Sequence, residues 1–139
     1  MKQTTIRYDD QTASMLSEID SKAATAVQNI IEMFLFLRRA TLKEIKGKFT
    51  TEEITAIVDS LNGLLPTWQL MVNPSVLIAH MQDAEEIEGT IKRHNADPEK
   101  IIEKLKQLTS AQATILQFEI INFWNGPSRD LEKFIKELL

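Results

Sequence analysis

The sequence contains few side chains that could bind a metal or support catalysis. Its two histidines are His80 and His94, and Asp83 follows His80 by one helical turn. Imidazole and carboxylate ligands are typical of zinc sites, but such sites use three or four protein ligands. The chain has no cysteine and no second spaced pair of histidines to complete the set. We therefore expect no metal site and no other cofactor.

Motifs for catalysis and for phosphate binding are also missing from the sequence. The four glycines are isolated from one another, so they form no glycine-rich phosphate loop. The adjacent carboxylates of Glu52 and Glu53, and those of Glu85 and Glu86, do not share a helix face. Helix capping and solubility explain these pairs better than acid–base chemistry does. We expect a protein that is not an enzyme.

Length and composition predict a soluble intracellular protein. A chain of 139 residues, 43% of them hydrophobic, is long enough to bury a substantial core. Its longest apolar run, Met33–Leu37, is far shorter than the roughly 20 residues that a membrane span needs. Charged residues follow Met1 in place of an apolar leader, and the lack of cysteine suits a reducing compartment. We expect a cytoplasmic location and no membrane association.

The charges are distributed unevenly along the chain. Residues 1–48 contain eight Lys or Arg and six Asp or Glu, which gives +2. The remaining residues contain eight and fourteen, which gives −6 and accounts for the net charge of −4. If the protein meets a polyanion, the first third is the part that we expect to bind it. The basic run from Arg38 to Lys48 is also explained as the solvated end of a helix.

Hydrophobic spacing predicts a mainly α fold, in which one short strand precedes six or seven helices. The β-branched and aromatic segment Thr4–Tyr8 favours the strand. A short helix over residues 10–20 and a long helix from residue 23 to about residue 46 are predicted next. Between Ile30 and Leu37 the long helix is apolar on nearly all sides. More than one of its faces must therefore be covered.

Two later helices begin with capping boxes, at Thr50–Glu53 and at Thr109–Gln112. Helical spacing places Phe123 and Trp124 in the core. Residual apolarity in the last helix, around Phe134 and Leu138, marks a surface for a protein partner.

A single strand also needs a pairing partner, either Trp68–Val72 or the same strand of a second chain.

The order of strand, short helix and long capped helix in residues 2–37 resembles the ribbon-helix-helix family of DNA-binding proteins, chiefly through Thr4–Asp10. The resemblance implies a homodimer whose paired strands lie in the DNA major groove. It also implies that the outward side chains Gln3, Thr5 and Arg7 contact base edges, for which all three are chemically suited. The residues that would contact DNA phosphate are Lys2, Ser21, Lys22 and Thr25.

The rest of the chain resembles uncharacterised bacterial or phage-type proteins in Lys46–Thr50 and Leu108–Trp124, a likeness that implies no activity. We therefore predict a dimerisation and DNA-binding arm over residues 1–45 and a helical domain over residues 46–139. The leading hypothesis is a homodimeric, sequence-specific DNA-binding protein that acts as a transcriptional regulator. The alternative is a helical protein-interaction module without a nucleic-acid role, which the acidic later part of the chain favours.

Overall fold

The computed structural model describes residue 5 and residues 7–62, 74–82 and 84–139, without the side chains of residues 74, 76 and 84–86. These described residues form eight α-helices. The helices are α1 (Asp10–Ile19), α2 (Ala23–Lys48), α3 (Thr51–Ser60), α4 (Pro74–Gln82), α5 (Ala84–Arg93), α6 (Pro98–Lys106), α7 (Ser110–Asn125) and α8 (Leu131–Leu138).

The predicted fold class is wrong at the N-terminus, where the structure has no ribbon-helix-helix arrangement. Residues 5 and 7–9 are irregular, and none of the described residues belongs to a strand. Asp9 is extended, and its carboxylate accepts a hydrogen bond from the Thr12 backbone N–H, so α1 begins directly after it. A five-residue alternating pattern cannot hold a strand without a neighbour to pair with. The proposed neighbour, Trp68–Val72, lies outside the described residues.

Side-chain caps fix the starts of five of the described helices, α1, α3, α6, α7 and α8. The two predicted capping boxes are confirmed: Thr50 and Glu53 cap each other at α3, and Thr109 and Gln112 do so at α7. Each box satisfies two backbone N–H groups that a helix N-terminus otherwise leaves unpaired. The remaining carboxylate caps are Asp97 at α6, where Pro98 occupies the first helical position, and Asp130 at α8.

The chain divides into two compact units, and the boundary falls inside α2. Unit 1 comprises Met1–Phe36, which holds α1 and the first half of α2. Among its described residues only Leu16 and Ala26 are buried apolar side chains. Unit 2 comprises Leu37–Leu139 and holds the remaining helices. The division lies N-terminal to the boundary that we predicted at residue 45.

Unit 2 contains the connected hydrophobic core. Its helix α3 packs against α5 and α8, while α4 packs against α5, α6 and α7. The most deeply buried side chains, each less than 2% exposed, come from five of these helices: Ile45, Ile54, Ile57, Val58, Ile91, Ile101, Leu105, Leu116 and Ile120. They recur at helical spacing, which is why each helix presents one apolar face to the others.

Candidate interaction surface

Most of the large hydrophobic side chains that are exposed among the described residues belong to unit 1. In the described part of the chain, all eight large hydrophobic side chains that are at least 36% exposed lie between Tyr8 and Leu37. Monomeric proteins rarely leave that many large apolar side chains close together in water, and such patches mark binding surfaces. We call the seven that belong to unit 1 the unit 1 surface: Tyr8, Met15, Ile19, Ile31, Met33, Leu35 and Phe36.

Helix α1 places two of these side chains on one face. Met15 and Ile19 are one helical turn apart and are 60% and 54% exposed, whereas Leu16 beside them is buried. The start of the helix depends on the Asp9 carboxylate, which lies 2.7 Å from the Thr12 backbone nitrogen. This hydrogen bond to the Thr12 N–H lowers the pKa of Asp9, so the cap stays ionised well below neutral pH.

The first half of α2 is apolar around most of its circumference. Its inward stripe is half-buried and consists of Ala23, Val27, Ile30 and Phe34. Ile31 and Leu35 lie on one flank of that stripe, and Met33 and Phe36 lie on the other side of the helix. Phe36 is the most exposed of all, at 75%. The sequence signal was the apolar run after Ile30, which predicted that several faces need cover.

A groove runs beside the outer flank of α2. It has a volume of about 470 Å³ and is lined by Tyr8 and by residues of the first three turns of α2, namely Ala23, Ala24, Val27, Gln28, Ile31 and Glu32. The lining is mainly apolar, with one carboxylate and one amide at its edge. Tyr8, which the sequence predicts to belong to a strand, lies beside α2 as a wall of this groove.

Three of the four predicted phosphate-contacting residues lie at the start of α2. Ser21 and Lys22 are exposed just before the helix, and Thr25 is exposed in its first turn. The backbone N–H of Lys22 already donates to the Asp20 carboxylate at 2.8 Å. This negative charge stands where an incoming phosphate would need free N–H donors. Lys2, the fourth predicted contact, lies outside the described residues.

The predicted base-contacting residues do not share a strand face. Thr5 and Arg7 are exposed in the irregular segment before α1, and Gln3 lies outside the described residues. Exposure leaves the Arg7 guanidinium accessible to an anion. Without the antiparallel ribbon, nothing in the described residues aligns Thr5 and Arg7 with successive base edges.

One residue of the basic run near the end of α2 forms an ion pair with another helix of unit 2. The Arg38 guanidinium forms a two-pronged ion pair with the Glu119 carboxylate of α7, including a 3.1 Å contact between Nη2 and Oε2. The hydrogen bond to Glu119 raises the pKa of Arg38. Arg39, Lys43 and Lys46 are exposed on α2, as expected for the solvated end of a helix.

Both histidines contact the end of α3. Nε2 of His94 lies 2.8 Å from Oδ2 of Asp59, and Nε2 of His80 lies 3.0 Å from the Ser60 backbone oxygen. Arg93 approaches the same Asp59 oxygen at 3.8 Å. These contacts join α4 and α5 to α3. The part of the chain that the structure describes holds no group of three metal-binding side chains, and Asp83 lies outside it.

The aromatic residues of the last helices contribute to the core of unit 2. Trp124 donates its indole N–H to the Val58 backbone oxygen at 2.8 Å, and the Phe123 ring stacks on Phe134 with ring centroids 4.3 Å apart. Leu138 is only 6% exposed. The core position predicted for Phe123 and Trp124 is confirmed. Phe134 and Leu138, which we expected at a partner surface, pack into the same core.

No protein family, curated protein or solved structure matches this chain. None of the described helices combines the length and the apolarity that crossing a bilayer requires.

Proposed function

We propose that the chain is a helical protein-interaction module and that the unit 1 surface is its binding site. One observation carries the proposal. Every large hydrophobic side chain that is strongly exposed in the described residues lies between Tyr8 and Leu37. Among the described residues of unit 2, Leu37 is the one large hydrophobic side chain that is exposed to this extent. Covering an exposed Leu, Ile, Met or Phe completely stabilises a complex by about 1.5–3 kcal/mol.

The charge of unit 1 also supports a protein partner over a polyanion. Met1–Phe36 contains three basic and five acidic residues, which gives a net charge of −2. Nucleic-acid affinity depends mainly on cations that neutralise phosphates. The basic residues that make the first third of the sequence positive begin at Arg38, which belongs to unit 2.

DNA binding stays a second hypothesis, because Arg7 and Lys22 are exposed in unit 1. Fluorescence polarisation with random duplex DNA at low salt separates the two. Binding that weakens steeply with added salt is expected of a DNA-binding protein. An unchanged polarisation at low salt would remove the DNA hypothesis and leave the interaction module.

Site-specific photo-crosslinking in cells of the source organism tests the interaction module. A benzophenone amino acid replaces Phe36, whose exposed aromatic ring it resembles. We expect irradiation to join the chain covalently to protein, because Phe36 is the most exposed residue of the unit 1 surface. The matched control carries the same probe at Gln107, an exposed polar residue in the turn after α6.

Adducts from position 36 that exceed those from position 107 support the proposal, whatever the identity of the captured protein. Equal or absent adducts from the two positions would contradict it. The probe at residue 36 replaces an exposed ring by a similar exposed ring, so we do not expect it to alter folding.

A further inference from the structure

Unit 1 is too small to bury its own apolar side chains. Domains below about 40 residues usually need disulfides, metals or association with another chain to be stable. Unit 1 spans 36 residues and contains no cysteine, and Leu16 and Ala26 are its only buried apolar residues among those described. Association with another chain is one route by which such a unit gains a core.

A stripe on the outer flank of α2 has the spacing of a helix–helix seam. Ala24, Gln28, Ile31 and Leu35 follow one another at intervals of four, three and four residues. This is the heptad spacing that keeps side chains facing a partner helix. Ile31 is 48% exposed and Leu35 is 55% exposed, and Ala24 and Gln28 are exposed as well. We call these four residues the α2 seam.

The α2 seam carries no charged residue. Its one polar member, Gln28, donates its side-chain amide to the Glu32 carboxylate at 3.1 Å, one turn along the same helix. This bond keeps the polar end of Gln28 satisfied beside the seam. Two identical seams can therefore meet without opposing like charges, which is a requirement when a chain pairs with itself.

The sizes of the seam residues are complementary in one orientation. When two copies of α2 run antiparallel about a two-fold axis between residues 29 and 30, Ala24 faces Leu35 of the second copy. Gln28 then faces Ile31 of the second copy, so the pairs of side chains nearest the two-fold axis match as well. A parallel arrangement would oppose Ala24 to Ala24 and leave a void, whereas alternating small and large residues fill the space.

The groove beside Tyr8 supports the antiparallel arrangement. Ala24 and Ile31 line this groove, which has a volume of about 470 Å³. A side chain that faces Ala24 from a second helix enters the groove between Tyr8 and Ile31. In the antiparallel arrangement that side chain is Leu35 of the second copy, a large apolar group that suits the apolar lining.

We infer that the partner of the unit 1 surface is a second copy of this chain, joined through antiparallel pairing of the α2 seam. The inference rests on the proposed function and specifies its partner. Because the seam is short, the dimer belongs to the weak, exchanging class of interfaces. Leu35 of each copy occupies the groove of the other, so the two-fold axis relates two identical contacts.

Analytical ultracentrifugation of the full chain up to about 1 mM tests the inference, since weak interfaces assemble only at such concentrations. We expect a reversible monomer–dimer equilibrium. Leu35→Glu should weaken the dimer on the order of 30-fold or more, as for a central interface residue. Asn29→Glu is the matched control, because Asn29 is exposed on α2, points away from the seam and does not belong to the unit 1 surface. It should leave the dimer unchanged.

A charge pair tests the orientation. Ala24→Lys alone should weaken the dimer, because it puts a cation against Leu35 of the second copy. The double variant Ala24→Lys/Leu35→Glu should associate more tightly than Leu35→Glu alone, because the introduced ammonium at position 24 then meets the introduced carboxylate at position 35 of the second copy. This gain should shrink as salt is added. A double variant that gains nothing would overturn the antiparallel pairing.

The outcomes separate this inference from the proposed function. A chain that stays monomeric at the highest concentration but crosslinks to other proteins from position 36 would reject self-pairing and retain the interaction module. A dimer that Leu35→Glu and Asn29→Glu weaken equally would reject the α2 seam. A dimer that only Leu35→Glu weakens, with rescue by the charge pair, is the expected result.

Discussion

Leu116→Ala is expected to lower the free energy of unfolding by about 2–5 kcal/mol. Leu116 is fully buried in α7 within the connected core of unit 2. Removal of its branched side chain loses the transfer free energy of the deleted carbons and leaves a cavity that the surrounding helices fill only in part. Single domains of this size have a total stability of about 5–15 kcal/mol, so the loss is a large fraction of it.

Denaturant unfolding followed by circular dichroism measures this loss, and hydrogen exchange locates it. Amide protection should fall together across α3, α6 and α7, because their buried side chains form one connected cluster. The control is Met33→Ala, whose side chain is 59% exposed and which should change stability by no more than about 0.5 kcal/mol. A loss below about 1 kcal/mol for Leu116→Ala would show that the core is not packed around α7.

The helix starts and the core of unit 2 could be predicted from the sequence because both depend on local patterns. Thr50 and Glu53 are three residues apart, as are Thr109 and Gln112, and this spacing alone brings each pair into capping contact. The core side chains recur every three or four residues, so the buried face of each helix can be identified from that helix's own sequence.

The prediction of an N-terminal strand was wrong because strand formation depends on a pairing neighbour, which a local sequence pattern does not reveal. Thr4–Tyr8 has strand-like composition, but the Asp9 cap starts α1 immediately and Tyr8 lies against α2. The apolar run after Ile30 did indicate that several faces of α2 need cover. It did not indicate whether that cover comes from the same chain or from another.

The last helix shows the reverse case. The residual apolarity around Phe134 and Leu138 predicts a partner surface on the last helix. In the structure Phe134 stacks on Phe123, and Leu138 joins the core. The last helix and α2 both carry more apolar residues than one buried face requires, and this pattern looks the same in the two sequences. Only the tertiary packing shows that one helix is covered by its own unit while the other is left exposed.

Lys104→Met is the second large effect, at a contact between residues 51 positions apart that no sequence pattern indicates. The Lys104 ammonium lies 2.5 Å from the Glu53 carboxylate, and that carboxylate also accepts from the Thr50 backbone N–H. The Glu53 side chain is 7% exposed. Removal of the ammonium leaves a nearly buried carboxylate with one donor, which should cost about 2–3 kcal/mol.

The Lys104 ammonium also lies 5.9 Å from the centroid of the Phe49 ring, so Lys104→Met removes this cation–π contact together with the ion pair. The methionine retains the apolar length of the side chain, so the variant mainly removes charge. Glu53→Gln alone should cost less than Lys104→Met, because the Lys104 side chain is 27% exposed and its ammonium can still reach water. The amide that Glu53→Gln introduces also retains an oxygen to cap α3. The combined variant Glu53→Gln/Lys104→Met should therefore recover most of the stability lost by Lys104→Met.

Denaturant unfolding of the two single variants and the double variant forms a cycle that isolates the pair. Recovery in the double variant means that the penalty of Lys104→Met arises from the unpaired Glu53 charge. Losses that simply add would contradict this explanation and assign the cost to lost packing. The distinction matters for unit 2 because a buried ion pair stabilises a fold little by itself, yet it strongly penalises the loss of either partner.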